Sequence, residues 1–504
     1  MANPNDTFTK LCDHARQTGL LTSTIGILNW DEETYLPRDG RAHRAEQTAL
    51  LAGMVHQRQT AAEVGGWLAE LKESPLAADP HSTEGCVIRQ LGRQYDKKTK
   101  LPQKLVEELT RTASLAQQAW VDARKADDFT AFQPWLERTI DLKQQEAAAV
   151  GVTDVAYDAL LDDYEPGEST ANVAQVLSGL REQLTPLVEQ IVESKHKAPR
   201  EILSRSYPVD KQAEFGKQAA AAIGFDFNAG RLDVTAHPFC GGGGPRDVRL
   251  TTRYDANEFA GGFFSILHEA GHGIYEQGLP ADQFGLPTGE AVSLGIHESQ
   301  SRMWENLVGR SRAYWEHTLP ELQGAFESAR GVGLDEFYFA VNDSRPSLIR
   351  TESDEATYNL HIIVRFELEQ ALLSGDLPAA DLPSAWNEKY QQYLGVTPPS
   401  SADGAMQDVH WSAGLYGYFP TYALGNLYAA QFFDQAEADL GDLDDHFRRG
   451  EFTPLRDWLR RNIHQHGQRY SAAELVERVT GKPLSHEPLM RRLRAKFAEL
   501  YDLP

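Results

Sequence analysis

The sequence predicts a mainly α-helical protein that carries one small β-sheet. Apolar residues recur at three- and four-residue intervals over most of the chain, and the stretch 231–254 alone alternates as strands do. A chain of 504 residues can bury a large core, and 41% hydrophobic with 24% charged residues is usual for a folded globular protein. We therefore expect a single unit over 1–504, with a helical part over 1–230, the sheet over 231–254 and further helices over 255–504.

Helical periodicity is clearest in five segments. Each of them places apolar residues along one face, and prolines or glycines mark the joins between segments. The five predicted helices cover 101–122, 172–192, 210–223, 334–342 and 366–373.

The predicted sheet contains a run of four glycines, Gly241–Gly244. A phosphate-binding loop would need a helix and usually a lysine after such glycines, but Pro245 and an alternating strand pattern follow. The run therefore predicts the loop of a β-hairpin and not a nucleotide site.

Charge and cysteine content exclude some classes of protein. A net charge of −24 argues against a general binder of nucleic acids or anionic membranes.

The segment Trp411–Phe433 has no charged residue and the length of a membrane span, yet its polar residues and proline favour a buried core segment. Cys12, Cys86 and Cys240 are far apart, which implies no disulfide framework. With no signal-peptide pattern at the N-terminus, we expect a cytoplasmic protein.

A metal-binding motif occupies residues 268–272, which read HEAGH. His268 and His272 are four residues apart, so both imidazoles lie on one helical face and can reach one metal ion. Glu269 is placed to act as general base toward a water molecule. Asp255 and Glu258 predict a capping box that opens this helix, and its several glycines indicate that another element approaches the backbone closely.

A catalytic zinc ion usually has a third protein ligand, which the segment 290–308 could supply. This segment offers His297, Glu298 and Glu305. Glu298 follows His272 by 26 residues, a separation that fits a helix–loop–helix. Spacing favours Glu298 only modestly over His297.

Further motifs give the sequence a resemblance that runs nearly end to end. It resembles the carboxypeptidase Taq family of HExxH metallocarboxypeptidases. The matching segments, in the family's order, are WDEETYLPRDGRAHRAEQ (30–47), HPF (237–239), DVRLT (247–251), HEAGH (268–272), IRTESD (349–354, with Ser353 where the family has alanine) and GAMQDVHW (404–411).

The resemblance implies a fold and an activity. It implies a saddle-shaped, almost wholly helical homodimer with a deep groove and a small sheet beside the metal. It also makes Glu298 the third ligand of a zinc ion, which cobalt or manganese can replace. The implied activity is removal of single residues from the free C-termini of peptides, with broad specificity.

The resemblance also implies roles for residues outside the metal motif. Arg350 is the expected partner of the substrate's terminal carboxylate, because a planar guanidinium binds carboxylates with two hydrogen bonds. His410 and Tyr422 are expected to donate hydrogen bonds to the oxyanion, with Tyr418 as an alternative to Tyr422. His237 and Arg249 are expected to line the groove. Asp354 and Asp408 are candidates either to orient the ligand histidines or to form caps and salt bridges.

The predicted function is a zinc-dependent carboxypeptidase in which Glu269 takes a proton from the attacking water. The alternatives are an oligopeptidase that cleaves internal bonds and a non-catalytic helical scaffold that binds peptides. Glu269 weighs against the scaffold, because metal ligation alone requires no base at that position.

Overall fold

A computed structural model describes residues 3–151 and 155–504. Within these ranges the chain forms α-helices, short 3₁₀ turns, one π-helix and three β-strands. The helices of the first half are α1 (Pro4–Thr34), α2 (Arg41–Gln59), α3 (Ala62–Lys72), α4 (Thr83–Lys100), α5 (Gln103–Ala126), α6 (Phe129–Val150), α7 (Ala156–Leu161), α8 (Thr170–Glu193) and α9 (Val209–Ile223). The strands β1 (Gly230–Val234), β2 (Cys240–Gly244) and β3 (Asp247–Thr252) follow. The remaining helices are α10 (Ala260–Gly278), α11 (Leu294–Arg302), α12 (Arg312–Ala325), α13 (Leu334–Val341), α14 (Thr357–Ser374), α15 (Leu382–Leu394), α16 (Pro420–Leu440), α17 (Leu443–Arg448), α18 (Thr453–Asn462), α19 (Ala472–Thr480) and α20 (Glu487–Tyr501).

The chain divides into two compact units, each made of three separated segments. The first unit combines the described residues up to Thr99 with Pro199–Val341 and Phe432–Lys482. The second unit combines Lys100–Ala198, Asn342–Gln431 and Pro483–Pro504. The sheet and the HEAGH motif belong to the first unit.

The mainly helical fold class and all five predicted helices are confirmed, as α5, α8, α9, α13 and α14. The last is more than twice as long as its predicted range of 366–373, because α14 begins at Thr357. Its added turns are buried on nearly every side, including Asn359 and His361. A helix that is enclosed in this way has no amphipathic stripe, so periodicity could not reveal its full length.

The sheet has the strand order β1–β3–β2, with β1 parallel and β2 antiparallel to β3. The prediction that Gly241–Gly244 form a loop was wrong: they lie in β2, and the hairpin turn is at Pro245 and Arg246. Close backbone approach explains one of these glycines, Gly242. A Cβ atom on Gly242 would lie 2.0 Å from the carbonyl oxygen of Asp247, so no side chain fits there.

Helix α10 begins later than the sequence predicted. Its first residue is Ala260, and Asp255 does not cap it. The Glu258 carboxylate instead accepts a hydrogen bond from the Gly261 amide at 2.7 Å. Asp255 accepts one from the amide of Asn257 in the preceding turn. The predicted capping box is therefore not formed, and Glu258 alone satisfies a free amide of the first turn.

The uncharged segment Trp411–Phe433 is a buried core segment, as predicted. Trp411, Tyr416 and Phe419 are each at most 3% exposed. Across the described parts of the chain, no helix has both the length and the apolar character needed to cross a bilayer.

Candidate metal centre

Helix α10 holds the HEAGH motif against an aromatic core of the first unit. Phe259 and Phe263 stack with ring centroids 5.0 Å apart, and Phe263 also contacts Trp315. Ile266 and Leu267, directly before the motif, are fully buried. Packing on this face fixes the rotation of α10 and so the direction in which the two histidines project.

A glycine in the motif lets a second helix approach α10. A Cβ atom on Gly271 would lie 2.6 Å from both the Gln300 carbonyl oxygen and the Ser301 Cα of α11. On the opposite side of α10, a Cβ atom on Gly273 would lie within 2.9 Å of the side chains of Phe225 and Leu250, the latter on β3. The close approach that the glycines indicated is therefore that of α11 on one side and of the sheet on the other.

The contact with α11 brings Glu298 to the two histidines. Its Oε2 atom lies 3.8 Å from Nε2 of His268 and 3.4 Å from Nε2 of His272. One ligand atom from each of the three residues lies within 4.8 Å of the others. Two imidazole nitrogens and one carboxylate oxygen form a donor set that suits a divalent metal such as zinc and leaves further coordination positions open.

The distal nitrogen of His268 is held by a second carboxylate. Its Nδ1 atom lies 2.8 Å from Oε2 of Glu305, in the π-helix Met303–Val308 that continues α11. A carboxylate accepts a hydrogen bond, so the imidazole proton is on Nδ1 and the Nε2 lone pair is available to a metal.

A two-step chain of hydrogen bonds fixes His272 in the same way. Glu276 Oε1 lies 2.8 Å from Nε2 of His297, and Nδ1 of His297 lies 2.6 Å from Nδ1 of His272. When the Glu276 carboxylate accepts a hydrogen bond from the Nε2–H group of a neutral His297, the other His297 nitrogen accepts one from the Nδ1–H group of His272. The Nε2 atom of His272 is then free to bind a metal. Both histidines therefore fit the group that the motif implies.

Burial and neighbouring charges shift the pKa values of the site residues in different directions. Burial, reinforced by the neighbouring His297, lowers the pKa of His272 to about 3. Burial also acts on His268, but the carboxylates of Glu298 and Glu305 outweigh it and raise its pKa. Burial opposes the ionisation of Glu298, yet Arg302 and the two histidines hold its pKa well below the ordinary range.

Glu269 is a buried carboxylate with 7% of its surface exposed. Burial raises its pKa to about 7, and the nearby His268 limits the rise. A carboxylate with a pKa close to neutrality can both take and return a proton at physiological pH. This is the property that a general base needs.

In the second unit, Arg350 is buried within a network of charged and polar groups. Its guanidinium donates to Asp408 Oδ1 at 2.9 Å and to the Tyr358 hydroxyl at 3.1 Å. Asp408 also pairs with the fully buried Arg365. Two guanidinium groups thus share one carboxylate, and the ion pairs of the described residues supply no second carboxylate for them.

His410 and Tyr422 lie beside Arg350. The Tyr422 ring centroid is 5.1 Å from the Arg350 guanidinium carbon, and the His410 and Tyr422 centroids are 6.4 Å apart. Tyr418 lies at 5.4 Å from both of these rings. Burial lowers the pKa of His410 to about 4, and its Nδ1 atom has no hydrogen-bond partner among the described residues. His410 is therefore a neutral imidazole at neutral pH.

The two residues that were expected to line a groove from the sheet differ in their surroundings. His237 is exposed, in the segment between β1 and β2. Arg249 on β3 pairs with Asp247 at 2.8 Å and stacks on Trp30 of α1, with its guanidinium carbon 4.2 Å from the ring centroid. Arg231 contacts Trp30 as well, at 4.9 Å. Trp30 therefore ties α1 to the sheet.

Sequence reasoning missed several partners of the site. Of the two proposed roles for Asp354 and Asp408, the structure supports caps and salt bridges: Asp354 accepts from the amide of Thr357 at the start of α14. Glu305 and His297, considered above only as third ligands, bond to His268 and His272 instead. Arg302, which pairs with Glu298 at 2.7 Å, was missed altogether. Its spacing, four residues after Glu298 and three before Glu305, was the available signal.

The donor set suits a metal-dependent enzyme, because two imidazole nitrogens and one carboxylate oxygen converge beside the buried carboxyl group of Glu269. The chain belongs to the carboxypeptidase Taq (M32) metallopeptidase family, whose model matches residues 10–497. It is thus a metallocarboxypeptidase, and neither an internally cleaving oligopeptidase nor a non-catalytic scaffold is favoured.

Relatives of known name and structure cover almost the whole chain. The thermostable carboxypeptidase 1 of Thermus thermophilus is 47% identical, over 99% of both chains. The crystal structure of an M32 carboxypeptidase from Deinococcus radiodurans has a TM-score of 0.95 at 39% identity, and covers 99% of this chain and 100% of that one. A Pyrococcus furiosus carboxypeptidase structure has a TM-score of 0.93 at 33% identity, over 99% of each chain.

Proposed function

We propose that this protein is a zinc carboxypeptidase that removes single residues from the free C-termini of peptides with broad specificity. The observation that carries the proposal is the convergence of His268, His272 and Glu298, whose ligand atoms lie within 4.8 Å of one another, beside the buried Glu269. Zinc is the first choice of metal because a donor set of two imidazoles and one carboxylate is usual for catalytic zinc. Cobalt or manganese could replace it.

A bound divalent cation would act as a Lewis acid and lower the pKa of a water molecule. Glu269 would take the proton of that water as it attacks the scissile carbonyl, and then deliver the proton to the leaving amine. The pKa of about 7 supports both steps, since the carboxyl group exists in both protonation states near neutral pH. Glu305 and the pair His297–Glu276 would keep the two ligand imidazoles oriented throughout the reaction.

Arg350 would bind the terminal carboxylate of the peptide. The support is its ion pairing: Arg350 and Arg365 both pair with Asp408, so two guanidinium groups share this carboxylate. A buried guanidinium whose carboxylate is shared favours a further anionic partner. The proposed donors to the oxyanion are His410, as a neutral imidazole, and Tyr422, with Tyr418 as its alternative. His237 and Arg249 are proposed to contact the peptide, although the ion pair of Arg249 with Asp247 must then be shared.

The proposal extends to the state of the protein in the cell. We expect the residues 1–504 to work as one catalytic unit, and the family match across 10–497 supports this. The free Cys12, Cys86 and Cys240 support a reducing, cytoplasmic location. The family resemblance supports a homodimer, which light scattering coupled to size-exclusion chromatography would test.

The decisive experiment is mass spectrometry of an unblocked peptide after incubation with zinc-loaded protein. A ladder of losses from the C-terminus is expected. Chelation of the metal should abolish the ladder, and the His268→Ala variant should produce none. Internal fragments, or an undiminished ladder from protein that elemental analysis shows to be metal-free, would refute the proposal.

A further inference from the structure

Arg302 connects two acidic residues of the metal centre. It is the last residue of α11, and both of its acidic partners are on the same helical segment. Its Nε donates to Oε1 of Glu298 at 2.7 Å, and one terminal nitrogen donates to Oε2 of Glu305 at 3.3 Å. All three side chains are at most 14% exposed, so water weakens these ion pairs little.

The two carboxylate oxygens of Glu298 have different surroundings as a result. Oε2 faces Nε2 of both histidines, at 3.8 and 3.4 Å. Oε1 is occupied by the guanidinium of Arg302. The hydroxyl of Ser301 lies 3.3 Å from Oε2, but it also donates to the backbone carbonyl of Glu298 at 2.7 Å. One oxygen is therefore available to a metal and the other is not.

The same guanidinium acts on a second ligand through Glu305. The Glu305 oxygen that it contacts, Oε2, is also the atom that accepts from Nδ1 of His268. Arg302 thus contacts Glu298 directly, and it contacts His268 indirectly through Glu305. A planar guanidinium can hold two carboxylates in a fixed relation, whereas the single ammonium of lysine cannot.

We infer that Arg302 is a positioning residue that makes Glu298 a ligand through one oxygen only and fixes the imidazole plane of His268. Withholding the second oxygen keeps the remaining coordination positions for water and the substrate carbonyl. This inference rests on the proposed metal centre. Without Arg302, both Glu298 oxygens would be free to bind a metal, and its coordination number would rise.

The inference is tested with cobalt(II), whose visible absorption weakens as its coordination number rises from four. Arg302→Gln should weaken cobalt binding, measured by competition with a chelator, by about 10- to 100-fold, and should lower the absorption of the loaded protein. Arg302→Lys keeps the positive charge but not the planar set of donors, so compared with Arg302→Gln it should recover part of the cobalt affinity and little of the absorption. Arg310 lies 3.6 Å from Oε1 of Glu305, the oxygen that does not face His268, and Arg310→Gln should keep the wild-type spectrum.

Several results would overturn the inference. One is an Arg302→Gln variant with the affinity and spectrum of the wild type. If that variant does not fold, Arg302→Lys decides: equality with the wild type in both measurements also overturns it. Wild-type protein that binds no stoichiometric cobalt would overturn the metal centre and this inference together, whereas a stoichiometric wild type with unaffected variants removes only the role of Arg302.

Discussion

The close contact between α10 and α11 predicts a large effect from the smallest substitution in the metal motif, Gly271→Ala. The added methyl carbon would lie 2.6 Å from the Gln300 carbonyl oxygen and from the Ser301 Cα. Carbon atoms in contact are normally about 3.5–4.0 Å apart, so α11 would have to retreat by about 1 Å. Both contacted atoms belong to backbone, which cannot rotate away as a side chain can.

The magnitude follows from two opposed terms. Overpacking of a close contact costs about 1–3 kcal/mol, while alanine is better than glycine in a helix by about 1 kcal/mol. The free energy of unfolding should therefore fall by no more than about 2 kcal/mol. Metal binding should be more sensitive to this displacement than stability is, because functional groups must be held within about 0.5 Å of their productive positions. Glu298 lies two residues before Gln300, so its displacement should weaken metal binding at least about tenfold and lower kcat/KM by about 100-fold.

Gly53→Ala is the matched control. Gly53 is also within a helix, α2, and a Cβ atom there would have no neighbour within 4 Å. This variant should gain about 0.5–1 kcal/mol of stability and keep the wild-type metal affinity. The assays are thermal unfolding of the metal-free proteins and chelator competition for zinc. A Gly271→Ala variant that gains stability as Gly53→Ala does, and binds zinc as the wild type does, would refute the packing argument.

Three further predictions concern the chemistry. Glu269→Gln should lower kcat by about 10²–10⁴ while zinc remains bound, which elemental analysis and steady-state kinetics would check; a kcat within a few-fold of the wild type would make another residue the base. Amidation of the peptide C-terminus should lower kcat/KM of the wild type by about 10- to 150-fold. The Arg350→Ala variant should hydrolyse the free-acid and the amidated peptide with similar kcat/KM. If amidation and the substitution lower kcat/KM independently, so that their effects multiply, Arg350 is not the partner of the carboxylate. His410 has a folded-state pKa of about 4 against an ordinary 6.5, so the unfolded chain binds a proton first as pH falls and stability is lost between pH 6.5 and 4. From pH 7 to pH 5 the wild type should lose about 2 kcal/mol more than His410→Gln in denaturant titrations, and parallel losses would contradict the burial of a neutral imidazole.

The sequence predicted the elements whose patterns are local. Helices such as α8 and α9 have one apolar face, and HEAGH places two histidines on one face by helix geometry alone. The length of α14 could not be predicted, because a helix buried all round has no stripe. The glycine strand β2 was misread because four glycines resemble a turn, whereas at Gly242 the glycine is required by the approach of the Asp247 backbone.

Site residues that act through distant partners were less predictable. Glu298 could be ranked above His297 only modestly by spacing, and the family resemblance was needed to choose it. Spacing alone did not reveal that His297 connects Glu276 to His272, since that depends on how α11 packs against α10. Spacing also did not reveal that Arg249, which stays a predicted substrate contact, stacks on Trp30 and pairs with Asp247.

The assembly of the metal-binding unit from three separated segments has a consequence for synthesis on the ribosome. Its first segment ends at Thr99 and its last begins at Phe432. At about 5–20 residues per second, roughly 15–70 s pass before the last segment starts to emerge. A local cluster of Leu11, Val64, Leu68, Leu71 and Ile88 can form early within the first segment. His464, whose imidazole bonds to Gln300 of α11 at 2.9 Å, belongs to this last segment. The nascent helices that carry the proposed metal ligands therefore remain incompletely packed, and exposed to chaperones, until translation is nearly finished.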